Sequence, residues 1–70
     1  MKTISIIIGS ITYALKIKRN LRQKGVYANI IKIVDKDDGC QYCLLIREKD
    51  LYETVAMLRE NNIQYKIKTN

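Results

Sequence analysis

Seventy residues carrying a net charge of +6 leave room for one small domain, expected over residues 1–70, with a thin core. A large enclosed active site is not expected at this size, and function is expected on a loop, a sheet face or a shared interface. Apolar residues dominated by isoleucine fall in patterns rather than low-complexity tracts, which argues against disorder and favours strands.

The first segment, Thr3 to Ile8, alternates and then runs apolar, which predicts a strand central in its sheet. Its run Ile6-Ile7-Ile8 is too short for a membrane span or a signal-peptide core, so the chain is expected in the cytoplasm with no membrane partner. Gly9-Ser10 end the strand, and the Ser10 hydroxyl is placed to cap the following helix. That helix is predicted over 11–24, with Ile11, Ala14, Leu15, Ile17 and Leu21 on one broad face and Gly25 as its stop. Lys16, Lys18, Arg19, Arg22 and Lys24 lie mostly off that face, where they suit either phosphates or plain solvation.

A second strand is predicted over 26–34, followed by the polar turn Asp35-Lys36-Asp37-Asp38-Gly39. A third follows over 41–47, with Tyr42, Leu44 and Ile46 on one face and Cys43 and Leu45 on the other. The spacing of Asp50 and Glu53 matches a capping box for a second helix over 50–61, with Leu51, Val55 and Leu58 as its buried stripe and Asn61-Asn62 as its end. The last strand puts Ile63, Tyr65 and Ile67 inward and Gln64, Lys66 and Lys68 outward.

The order β-α-β-β-α-β predicts an α+β, ferredoxin-like domain: an antiparallel sheet with two helices on one face and the first and third strands at its centre. The opposite face has no cover within the chain. Its apolar residues point to a homodimer through the open sheet face, set against a monomer with scattered surface apolar residues.

Chemistry is concentrated at Cys40 and Cys43, a CxxC pair. Redox pairs of this spacing usually sit at a helix N-terminus, which lowers the first thiol's pKa. This pair instead enters a strand beside Asp35, Asp37 and Asp38, with Lys36 as the one favourable charge. Positions 40 and 43 also differ in parity, so in an extended strand they face apart and cannot bridge unless Cys40 belongs to the turn. Cys40 as an exposed reactive thiol with Cys43 as an apolar sheet residue is one reading; both as packing residues is the other. Zinc needs four ligands, and a chain with two cysteines and no histidine cannot supply a cysteine-histidine set alone. No metal and no cofactor is therefore expected. There is no glycine-rich phosphate loop and no histidine base, so a stand-alone enzyme is not expected. Tyr27, Tyr42 and Tyr65 are isolated and form no base-stacking pair, which disfavours nucleic acid as the partner.

Tyr13-Ala14-Leu15, Leu21, Gly25, the element Gly39-Cys40-Gln41-Tyr42, and Leu51, Leu58 and Ile63 together resemble a family of small bacterial domains described as selenium/sulfur carrier-like proteins. The resemblance spans nearly the whole chain, and Gly39-Cys40 is its specific part. It implies that Cys40 carries sulfur or selenium as a persulfide or selenopersulfide, supported by the turn at Asp38 and Gly39. It also implies a protein partner that donates or accepts the atom. Family members tend to have a glycine close after this cysteine; Gln41 and Cys43 stand there instead, and Cys43 is a candidate resolving thiol.

Overall fold

The computed structural model describes residues 2–37 and 39–68, with the backbone alone described at Asp35. Its elements run β1 (Thr3–Ile8), α1 (Ile11–Gln23), β2 (Asn29–Asp35), β3 (Gly39–Arg47), a 3-10 turn (Glu48–Asp50), α2 (Leu51–Glu60) and β4 (Lys66–Lys68). The strands make one antiparallel sheet in the order β2-β3-β1-β4, so β1 and β3 are interior, as their two-sided apolar character requires. The molecule is α+β.

Register decides which face is core. Ile4, Ile6 and Ile8 stand opposite Ile46, Leu44 and Tyr42. Directly opposite residues share a face. That face meets Ala14, Ile17 and Leu21 of α1 and Met57 and Leu58 of α2 in one apolar cluster. The other face carries Ser5, Ile7, Ile31, Ile33, Gln41, Cys43 and Leu45, with Lys66 and Lys68 beside β1.

Both helices stop by the same device. The N–H of Gly25 donates to Arg22 O and that of Val26 to Leu21 O; after α2, the N–H of Asn62 donates to Arg59 O and that of Ile63 to Leu58 O. These are Schellman motifs, whose pivot residue must be left-handed. Gly25 (φ 80°) and Asn62 (φ 56°) provide it. Val26 and Ile63 then turn back onto the core beside Leu21 and Leu58.

The starts differ from expectation. Ser10 is the N-cap of α1, yet its hydroxyl makes no capping bond, and its carbonyl accepts from Ala14 N–H instead. The Asp50–Glu53 capping box does not form. Asp50 belongs to the 3-10 turn, with φ −98° and ψ 4°, rather than the extended conformation that aims a cap side chain at the helix. Its carbonyl accepts from Thr54 Oγ1 at 2.8 Å.

Burial also corrects the stripes. In α1, Leu15 is 50 % exposed and Ile11 38 %, because the helix presents only its Ala14–Ile17–Leu21 line to the sheet. In α2, Thr54, Met57 and Leu58 are buried and Val55 is not. Val26 and Ala28 are buried in the connection before β2, and β4 spans only Lys66–Lys68, so Ile63 packs from the loop. Ile67 remains 40 % exposed at the sheet edge.

Gly39 opens β3 opposite Asp35 with φ 76°. A Cβ there would meet nothing within 4 Å, so any cost of substitution is backbone strain. Gly39→Ala is expected to destabilise by about 1–2 kcal/mol, the cost of an L-residue in the left-handed region. The check is a lowered urea midpoint at unchanged slope.

Candidate functional site

The β2–β3 hairpin presents the thiol singled out by the sequence. Cys40 lies in the ladder rather than in the turn: it is the second residue of β3 and pairs with Val34. The left-handed Gly39 lets the chain re-enter the ladder two residues earlier than the strand expected over 41–47. Cys40 is exposed and free, and its partner Val34 is 74 % exposed, so the end of the hairpin stands clear of the core. Gly39 is thus described beside Cys40, whereas Asp38 lies outside the described residues.

Cys43 is in a different environment. It sits between Ile7 on β1 and Ile31 on β2 and is 3 % exposed although its face has no helix over it. Neighbouring side chains on that face close over a small residue at the sheet centre. Burial pushes the Cys43 thiol above its ordinary pKa, and the Lys68 ammonium pulls it back only in part. At neutral pH Cys43 is therefore a protonated, shielded thiol.

With both cysteines in β3, their difference in parity puts them on opposite faces. The structure does not bring them together, and both are free. Among the described residues no group of three or more His, Cys, Asp or Glu is arranged to hold a metal ion.

The basic residues of α1 form an outward surface: Lys16, Arg19 and Arg22 are exposed and Lys18 partly so. Among the described residues the open sheet face carries no aromatic side chain at a paired position on which a base could stack. No helix of the described residues is long and apolar enough to cross a membrane.

Sequence reasoning missed the concavity between α2 and β4. Leu51, Tyr52, Val55, Ala56, Arg59 and Ile67 line a groove of about 460 Å³. Its signal was present in the helical spacing of Tyr52, Val55 and Arg59 and in Ile67 lying between two lysines. Assigning Val55 and Ile67 to the core concealed it.

Comparison with protein-family models, with curated proteins and with solved structures gives no match for this chain.

Proposed function

We propose that the chain is a non-catalytic thiol carrier, built on a ferredoxin-like frame, that takes sulfur or selenium on Cys40. One observation carries the reading: Cys40 is exposed and free, while the second thiol, Cys43, is buried. A carrier needs one accessible nucleophile and a surface on which donor and acceptor proteins dock. The sheet order β2-β3-β1-β4, read from either edge, supports the split βαβ frame. A reducing cytoplasm would keep Cys40 a free thiol between transfers.

The loading step conserves atoms and electrons. The Cys40 thiolate attacks the outer sulfur of a donor persulfide, R–S–SH. A bond from Cys40 Sγ to that sulfur forms, the donor S–S bond breaks, and R–S⁻ leaves and takes up a proton. A donor R–S–SeH delivers selenium by the same displacement. The test is intact mass after incubation with a low-molecular-weight persulfide. The gain of one sulfur atom, removed by a dithiol reductant, is the expected result; an unchanged mass rejects the carrier reading.

A second reading is an interaction module that dimerises through the open sheet face. Ile31, 47 % exposed, with Ile7, Ile33 and Leu45 partly exposed beside it, favours this reading. On that reading light scattering gives a dimer that Ile31→Lys dissociates, and a monomer at high concentration excludes it.

A further inference from the structure

Strand β4 forms one edge of the described sheet and pairs only with β1. Ile67 shares the face of Ile6, its ladder partner, yet it is 40 % exposed. Alongside it runs the groove under α2, lined chiefly by apolar side chains. At one rim Tyr52 is 87 % exposed. At another, Nε of Arg59 donates to the Tyr65 hydroxyl at 3.2 Å, which holds the guanidinium in place.

We propose that this edge takes an extended segment of a partner protein as a fifth strand, with an apolar side chain opposite Ile67 and an acidic side chain on either side of it. The pattern follows from strand geometry. Successive side chains of an added strand point to opposite faces, so the residue opposite Ile67 enters the groove while its two neighbours lie over the other face. There they stand opposite Lys66 and Lys68, and directly opposed charges in a ladder favour opposite sign.

A second copy of the chain does not satisfy the same edge. Antiparallel pairing of β4 with itself about Ile67 sets Lys66 of one copy against Lys68 of the other, twice over. Lysines on an edge strand ordinarily discourage indiscriminate pairing. Beside an open apolar groove, the same two charges select an acidic partner, and the net charge of +6 draws such a partner in. This inference is independent of what Cys40 carries.

The experiment is an NMR titration of the full chain with two short peptides, serine-flanked Glu-Val-Glu and serine-flanked Lys-Val-Lys. The acidic peptide is expected to shift the amides of residues 52–59 and 66–68 and to slow hydrogen exchange in β4. The basic peptide is expected to bind about tenfold more weakly, the effect of two reversed cross-strand charges. The double variant Lys66→Glu/Lys68→Glu changes only exposed side chains, so it keeps the core. It is expected to reverse the preference. Equal binding of the two peptides, a footprint on another surface, an unreversed preference, or no shift at millimolar acidic peptide overturns the proposal.

Discussion

Ile6→Ala lowers the unfolding free energy by about 2–5 kcal/mol, while Ile7→Ala, one residue along, costs under about 1.5 kcal/mol. The contrast follows from register. Ile6 is fully buried and pairs with Leu44 on one side and Ile67 on the other. Removing its side-chain carbons leaves a cavity where β1 meets the helices, and neighbours fixed in a ladder cannot collapse into it. Ile7 points the other way, toward the uncovered face, and is only partly buried. In a domain of this size the total stability is about 4–10 kcal/mol, so the Ile6 substitution removes a large share of it. Urea denaturation of both variants reads the difference. If Ile7→Ala costs as much as Ile6→Ala, and increasingly so at higher protein concentration, the open face is covered in solution by a second copy.

The second large effect concerns the thiols. Cys40→Ser is expected to abolish loading from a persulfide donor, whereas Cys43→Ala leaves loading intact. A hydroxyl cannot accept the sulfane sulfur under these conditions, and Cys40 is exposed at a strand end, so its replacement leaves the core untouched. Cys43 is shielded, and its raised pKa keeps it protonated at neutral pH, so neither access nor nucleophilicity favours it. Since the two side chains face apart, loss of Cys43 is also expected to leave the lifetime of the Cys40 adduct unchanged. Loading that survives Cys40→Ser and disappears in Cys43→Ala reverses the assignment.

Much of the frame was legible because local signals and tertiary packing agree. Alternation in β1 and β3, the helical spacing of Ala14, Ile17 and Leu21, and the stops at Gly25 and Asn61-Asn62 each name an element that is present. What failed depended on geometry that composition does not carry. A capping box requires an extended N-cap, and the 3-10 turn before α2 removes that conformation from Asp50. Leu15 and Val55 are apolar and correctly spaced, yet each lies at the margin of a helix that presents a narrow line to the sheet.

At the candidate site, parity alone foretold that an extended Cys40 and Cys43 would face apart. Whether Cys40 is extended rested on where the hairpin closes, and that depends on the left-handed conformation of Gly39. The burial of Cys43 on an uncovered face was not readable, since it arises from Ile7 and Ile31, brought beside it from two other strands. The groove under α2 escaped notice because an edge strand has the same alternation as an interior one.

The proposed carrier role requires that Cys40, and not Cys43, accept the chalcogen. Peptide mapping by mass spectrometry of the full chain, after brief exposure to a low-molecular-weight persulfide, tests it most directly. One added sulfur atom is expected, located on Cys40 and released by a dithiol reductant, with Cys43 unmodified until the protein is unfolded. An unmodified Cys40, or sulfur located first on Cys43, would contradict it.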